Sequence, residues 1–202
     1  APECFYDREA DLYRVIWSST VLEDAPPGPP GLAVPGALRP RWDHRIWSSA
    51  THDFTTYGRA VVFFDPGYSV IDATVAYDEA RRSYLMVFKD ERGENRVGSA
   101  RTESDVKALR ICRSPLGSGP FGEVSELISP APVEGPTLYR RDGRWFLLYD
   151  HFLEHHYGLS VSDDGDHWRV LTEHLDLGFG ARHASVFEVE ATTAEQLRRA
   201  WP

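Results

Sequence analysis

Three segments of the chain repeat one order of hydrophobic and polar positions. In each, a short strand pattern leads into a turn rich in Asp, Gly and Glu, and an aromatic residue then opens an apolar run that ends at polar residues. The segments span residues 3–19, 73–90 and 137–151, and their aromatic residues are Tyr13, Tyr84 and Trp145. Two apolar runs joined by a short polar turn are typical of a β-hairpin, so we predict three hairpins.

A second pair of strands is predicted after each hairpin. The pairs are 45–50 with 60–64, 108–114 with 126–128, and 157–162 with 169–171. Four strands in each unit of about 60–70 residues, repeated along the chain, are typical of the blades of a β-propeller. We therefore predict an all-β propeller, with helical spacing of apolar residues confined to the window 193–200.

The blade boundaries follow from this repeat. We predict three complete four-stranded blades at about 1–69, 70–131 and 132–180, and one strand of a further blade at 181–190. Residues 191–202 are predicted to form a short helix or tail. The segment 23–36 is rich in Pro and Gly, and we interpret it as a loop inserted in the first blade, because the strand pattern resumes after it.

Composition and charge narrow the classes of partner. The chain has 31 acidic and 22 basic residues, and its net charge of −9 disfavours a nucleic-acid partner. No apolar run approaches the roughly 18–20 residues of a membrane helix, so we expect no membrane partner. The 6 Trp, 9 Tyr and 10 Phe residues suit both sheet packing and the flat faces of sugar rings. Cys4 and Cys112 are too few for a disulfide framework, and their redox state and the compartment, secreted or cytoplasmic, stay open.

Propeller geometry selects the candidate functional residues, because innermost strands begin at the mouth of a central funnel and second strands end at the same face. Asp72, Glu134 and His183 lie at predicted starts of innermost strands, and Lys89 and Asp150 lie at predicted ends of second strands. Two carboxylates and a histidine in one funnel would be costly in a purely structural core. Each residue also has a structural interpretation, as a buried turn former, a solvated loop charge, a core histidine or an ion-pair partner.

These residues lie in motifs that resemble those of glycoside hydrolase family 43 and its relatives. The motifs are Ala1-Pro2-Glu3, Ser69-Val-Ile-Asp-Ala-Thr74, Val133-Glu-Gly-Pro-Thr137 and Ala181-Arg-His-Ala-Ser-Val186. They run from the first residue to about residue 187, which is nearly the whole chain. The resemblance implies a five-bladed β-propeller that hydrolyses arabinofuranosides or xylosides with inversion, using three carboxylates and no required cofactor.

The resemblance also implies roles for single residues. Glu134 would be the general acid, and Asp72 the carboxylate that orients it and tunes its pKa. Arg182 and Lys89 would contact the substrate, and His183 would lie near a structural ion or water, with calcium in the central funnel as the expected ion. A general acid needs a raised pKa, which we expect burial and Asp72 to supply for Glu134.

The general base of the family has no clear counterpart. The family uses an Asp followed by Pro in the first blade, upstream of the Ala-Pro-Glu motif with which this sequence begins. Asp65-Pro66 is the only Asp-Pro pair, but it is predicted at the end of an outer strand, so we do not assign it as the base. We therefore expect the first blade and the base to be missing, and loss of a general base costs about 10²–10⁴-fold in rate.

Three interpretations of function stay open. The first is inverting hydrolysis of arabinose- or xylose-containing plant polysaccharide or oligosaccharide, by a propeller that is incomplete. The second is a non-catalytic carbohydrate-binding propeller, and the third is a protein-interaction scaffold, against which the buried carboxylates count. A sialidase is disfavoured, because the scattered arginines form no set that would bind a substrate carboxylate. The cluster of Glu and two His at 154–156 is interpreted as a loop rather than a metal site.

Overall fold

The computed structural model describes residues 2–21, 43–175, 177 and 182–201. Within these ranges the strands are β1 (Glu3–Asp7), β2 (Leu12–Val21), β3 (Asp43–Thr51), β4 (Val61–Phe64), β5 (Val70–Asp78), β6 (Ser83–Asp90), β7 (Ala108–Ser114), β8 (Glu134–Arg141), β9 (Arg144–His151), β10 (His156–Ser162) and β11 (Arg169–Leu175). A 3₁₀ turn covers Gly98–Ala100, and helix α1 covers Ala191–Ala200. The all-β prediction is confirmed, and the Pro- and Gly-rich segment 23–36 lies outside the described residues.

The strands form three antiparallel sheets in chain order. Strands β1 to β4 form the first sheet, β5 to β7 the second, and β8 to β11 the third. The three predicted hairpins are present as the pairs β1–β2, β5–β6 and β8–β9. The turn between β8 and β9 contains Asp142 and Gly143, whose φ angles of 50° and 78° are both positive, as a favoured two-residue hairpin turn requires.

Two layers of buried side chains join the sheets, and the second sheet contributes to both. Tyr84, Met86 and Phe88 of β6 pack in the layer shared with the first sheet, and Leu85 and Val87 of the same strand pack in the layer shared with the third. All five side chains are fully buried. Because successive side chains of a strand point to opposite faces, β6 is covered on both sides, as in a stack of propeller blades.

The predicted strand at 126–128 is not formed, and the second sheet has three strands. The segment still runs beside β7, where the hydroxyl groups of Ser125 and Ser129 accept hydrogen bonds from the backbone amides of Ile111 and Leu109. Side-chain oxygens therefore take the place of the backbone carbonyls that a regular ladder would use. The backbone amides of β7 thus have hydrogen-bond acceptors without a fourth strand.

Residues 182–190, expected as part of one further strand at 181–190, also carry no strand where the structure describes them. This segment lies against β8, since Thr137 Oγ1 donates a hydrogen bond to the carbonyl of Ala184. Helix α1 follows it directly, and the blade boundaries stay a prediction.

In the part of the chain that the structure describes, none of the helices has the length and apolar character of a membrane span.

Candidate active site

The innermost strands of the second and third sheets each carry a bulge beside an acidic residue. In β5 the register with β6 shifts around Asp72, whose φ is 52°. In β8 the register with β9 shifts just after Glu134, at Gly135, whose φ is 56°. The Gly135 amide donates a hydrogen bond to Asp72 Oδ2 at 3.2 Å. β-Bulges change the direction of side chains at sheet edges and functional sites. Here the hydrogen bond between the two bulges connects the strands that carry the predicted carboxylates.

The Glu134 carboxylate is surrounded by nitrogen groups. Lys89 Nζ donates to Glu134 Oε2 at 2.9 Å, and Arg182 Nη2 donates to Oε1. His183 Nε2 lies 3.7 Å from the same Oε1 atom. The Glu134 side chain is 15% exposed, whereas that of Lys89 is 2% exposed. Lys89, Arg182 and His183, which were all predicted as site residues, therefore lie beside Glu134.

These neighbours set the pKa of Glu134. Burial acts to raise the pKa, but the His183 imidazole, the Lys89 ammonium and the Arg182 guanidinium outweigh burial and lower it to about 2. The expectation of a raised pKa is therefore wrong for this structure. Glu134 is ionised near neutral pH, because a carboxyl group loses its proton well above such a pKa.

Arg182 joins two carboxylates of neighbouring strands. Its Nε atom donates to Asp150 Oδ2, and its Nη2 atom donates to Glu134. Asp150 of β9 is directly opposite Glu134 of β8 in the register. On the other side, Lys89 Nζ also lies 2.9 Å from Glu91 Oε2. Opposite charges therefore alternate along the funnel side of the second and third sheets.

His183 lies close to both bulges. Its Nε2 atom is 3.9 Å from Asp72 Oδ2, and its ring lies over Gly135. A Cβ atom at Gly135 would be 3.0 Å from His183 Nδ1, so both the close contact and the positive φ favour glycine. The contact with Glu134, followed by the charge of Asp72, raises the pKa of His183 against the opposing effect of burial. This favours a cationic imidazole beside the two carboxylates.

A small cavity adds Glu3 to the site. The cavity of about 120 Å³ is lined by residues that include Glu3, Asp72, Gly135 and His183. Burial raises the pKa of Glu3 to about 7 despite the nearby His183 imidazole. Glu3 is the first residue of the innermost strand β1. The rule that selected Asp72 and Glu134, the starts of innermost strands, would have selected Glu3 if it had been applied to the first unit as well.

The residues around His183 fit calcium only in part. Calcium takes about six to eight oxygen ligands, whereas the side chains that line this cavity offer one imidazole, the carboxyl groups of Glu3 and Asp72 and the hydroxyl of Ser185. The raised pKa values of Glu3 and His183 also favour protons on these two groups. Calcium in the funnel stays a prediction, and no chemical step is assigned to it.

Asp65 belongs to a different part of the first sheet. It follows β4, the outermost strand, and its Oδ1 atom lies 2.5 Å from Arg45 Nε. The same oxygen accepts a hydrogen bond from the Gly67 amide at 2.8 Å. Asp65 is therefore held in an outer turn and is not placed with Asp72 and Glu134.

Comparison with known families decides the class of this chain. A family described as "Probable glycosyl hydrolase domain", related to glycoside hydrolase family 43, matches residues 1–195. The chain belongs to this family. The resemblance to family 43 that the motifs indicated is confirmed. No curated protein matches the chain.

Solved structures share the fold. A thermostable family-43 glycoside hydrolase matches with a TM-score of 0.59 and 13% identity, over 85% of this chain and 53% of that chain. A family-43 β-xylosidase/α-arabinofuranosidase from a compost microbial metagenome matches with a TM-score of 0.61 and 17% identity, over 93% and 60%. An exo-β-1,3-galactanase from Phanerochaete chrysosporium matches with a TM-score of 0.55 and 12% identity, over 83% and 34%.

These matches confirm a partial propeller of the family-43 type. The chain spans about half the length of the first of these structures. At such low identities the likeness concerns the fold alone.

Proposed function

We propose that this chain carries the funnel of an inverting glycosidase that acts on arabinose- or xylose-containing plant polysaccharide or oligosaccharide. Glu134 serves as the general acid, and Asp72 orients it. Arg182, which is 40% exposed, contacts sugar hydroxyls. The predicted sugar contact of Lys89 is not kept, because its side chain is 2% exposed and paired with Glu134 and Glu91. Membership of the glycosyl hydrolase family supports the reaction class, and the family-43 neighbour named as a β-xylosidase/α-arabinofuranosidase supports the sugar class.

The observation that carries this proposal is the junction of two bulges at Gly135. The Gly135 amide is hydrogen-bonded to Asp72, and the preceding residue, Glu134, has a side chain that is 15% exposed. The carboxylate is therefore accessible from one side and enclosed on the others. A carboxyl group with a strongly shifted pKa and specific charged partners in such a position is a candidate for catalysis.

Glu134 must hold a proton to act as an acid, because it protonates the leaving glycosidic oxygen. In the unliganded arrangement it is ionised. Sugar hydroxyls that take over the hydrogen bonds of Arg182 would move a positive charge away from Glu134 Oε1, and the sugar would also exclude water. Both changes raise the pKa of a carboxyl group. We therefore expect substrate binding to raise the pKa of Glu134 and to favour its protonated form.

Inverting hydrolysis also needs a base on the opposite face of the sugar, with the two carboxyl groups about 6.5–9.5 Å apart. We propose that this base lies outside the described residues. Glu3 is the alternative, because a pKa of about 7 leaves it partly ionised at neutral pH. Asp65 is not a candidate, since its carboxylate is paired with Arg45 and accepts a hydrogen bond from the Gly67 amide.

The test measures sugar release by the purified chain from arabinan, arabinoxylan and aryl arabinofuranosides, beside Glu134→Gln. Glu91→Gln is a matched control, because Glu91 and Glu134 each place an oxygen 2.9 Å from Lys89 Nζ. We expect release to be lost in Glu134→Gln and kept in Glu91→Gln, while calorimetric sugar binding persists in both. Equal loss of release in the two variants would contradict the acid role.

A non-catalytic carbohydrate-binding propeller is the second candidate. The pKa of about 2 at Glu134 favours it, because an ionised carboxylate accepts hydrogen bonds from sugar hydroxyls but supplies no proton. Binding without release by the wild-type chain, together with weaker binding by Glu134→Gln, would support this candidate. A folded chain that shows neither binding nor release would contradict both functions.

A further inference from the structure

The hairpin between β9 and β10 carries three side chains of the kind that bind metal ions. His151 and His156 are opposite each other in the register and flank the turn 152–155. The backbone amides of Glu154 and His155 both donate to the His151 carbonyl at 2.9 Å, which fixes the turn. Directly paired residues of an antiparallel hairpin have side chains on the same face, so the two imidazoles are neighbours.

The ligand atoms of these three side chains converge. Glu154 Oε2 lies 3.8 Å from His151 Nδ1 and 3.7 Å from His156 Nε2, and the three ligand atoms are all within 4.8 Å of one another. Two ligands bound to one tetrahedral zinc ion are about 3.3–3.6 Å apart. A shift of a few tenths of an ångström by the Glu154 carboxylate would therefore bring its oxygen to these distances from both His151 Nδ1 and His156 Nε2. The Glu154 side chain is 56% exposed and has room to make that shift.

The imidazoles are held in place by packing. The His151 and His156 rings stack with centroids 4.5 Å apart at 26°, and the His174 ring lies 4.6 Å from that of His156. Gly158 of β10 makes room for this arrangement, since a Cβ atom there would lie 3.0 Å from His151 Nε2 and 2.2 Å from the Tyr149 ring. Ligands whose conformations are already restricted lose less entropy when an ion binds.

The outer nitrogen of the His151 ring, Nε2, is buried without a hydrogen bond in the described part of the chain. The residue is 8% exposed. Neutral imidazole is the form that binds metal. A cation at Nδ1 would offset part of the cost of burying this ring.

We propose that His151, Glu154 and His156 form a binding site for a divalent transition-metal ion such as Zn²⁺. Two imidazole nitrogens and a carboxylate oxygen suit zinc and its neighbours, whereas calcium and magnesium prefer oxygen ligands alone. Three protein ligands leave a coordination position for water or another small ligand. The site is separate from the funnel carboxylates, because Asp150, the residue before His151, directs its Oδ2 atom to Arg182.

The experiment is calorimetric titration of the untagged full chain with ZnCl₂ after removal of metals by a chelator. We expect one ion per chain, and binding weaker by at least about tenfold in Glu154→Gln and in His156→Ala. The Glu154 variant keeps the fold in any case, because its side chain is largely exposed in a turn. X-ray absorption of the zinc-loaded chain should show only nitrogen and oxygen ligands, at about 2.0–2.2 Å, with the scattering of two imidazoles.

Two controls separate this site from other histidines. His155→Asn changes an exposed imidazole in the same turn, and Asn tolerates the positive φ of 60° at that position. His183→Gln removes the histidine of the funnel. Both variants should bind zinc as the wild-type chain does. The proposal is overturned if the wild-type chain binds no zinc, if Glu154→Gln and His156→Ala bind it unchanged, or if either control variant loses it.

Discussion

Glu134→Gln tests the charge network of the funnel through the pH dependence of stability. The substitution keeps the shape of the side chain and removes its ability to ionise. In the folded chain the pKa of Glu134 is lowered from 4.5 to about 2. By linkage, that difference corresponds to about 3 kcal/mol of stability at pH 7, which the ionised carboxylate contributes and the amide does not.

The sign follows from the direction of the shift. Because the folded pKa lies below the unfolded value, the contribution is complete above pH 4.5 and is lost as the pH falls towards 2. At pH 3 roughly 1.4 kcal/mol of it remains. Urea unfolding of both proteins at pH 7 and pH 3 measures the effect. We expect the free-energy advantage of the wild-type chain over Glu134→Gln to shrink by about 2 kcal/mol between these conditions.

Asp163→Asn is the control for this measurement. Asp163 is 75% exposed and pairs with Arg144 on the surface, where screened ion pairs contribute at most about 1 kcal/mol. We expect no comparable change with pH for this variant. An advantage of the wild-type chain over Glu134→Gln that stays constant from pH 7 to pH 3, or that grows, would refute the conclusion that cations hold Glu134 ionised.

Three further predictions concern the same funnel. Glu3→Gln imitates a protonated carboxyl group, and since burial raises the pKa of Glu3 to about 7, thermal melts should show the variant more stable than the wild-type chain near pH 8 and about equal near pH 4. Gly135→Ala forces a Cβ atom to within 3.0 Å of His183 Nδ1 at a φ of 56°, so urea unfolding should show a loss of about 1–2 kcal/mol, with a shifted NMR signal from the His183 ring. Arg182→Gln removes one cation from Glu134, so a carbon-13 NMR titration should show its pKa rising towards 4.5; an unchanged pKa would mean that Arg182 has no part in lowering it.

The hairpins could be predicted from the sequence because their signals are local. The apolar run at residues 145–149 of β9, with the turn Asp142-Gly143 between it and β8, determines strand, turn and register within a few residues. The segment 126–128 could not be predicted in the same way. Whether it forms a strand depends on which groups accept hydrogen bonds from the backbone amides of β7. Here the hydroxyls of Ser125 and Ser129 accept them. That competition between side-chain and backbone acceptors is not visible in a pattern of hydrophobic residues.

The positions of the site residues could be predicted from the sequence, but the protonation state of Glu134 could not. Topology alone places Asp72 and Glu134 at the starts of innermost strands, so the contact of Asp72 with Gly135, the residue after Glu134, follows from the repeat. The pKa of Glu134 depends instead on Lys89 of β6 and on Arg182 and His183, which follow β11. These groups come from separate parts of the chain, and only their distances show that their charges outweigh burial.

A general acid must hold a proton, whereas the cations around Glu134 favour its ionised form. The exposure of two of its three nitrogen partners, Lys89 and Arg182, shows how both requirements can be met. Lys89 is 2% exposed and lies between Glu134 and Glu91. Moving it would leave a buried charge unpaired, which is strongly destabilising. Arg182 is 40% exposed, and its second partner, Asp150, can retain it when it leaves Glu134. Of these two cations, Arg182 is therefore the one that a bound sugar can displace at lower cost. A sugar that left Arg182 in place would leave Glu134 ionised, and binding without hydrolysis would be the outcome.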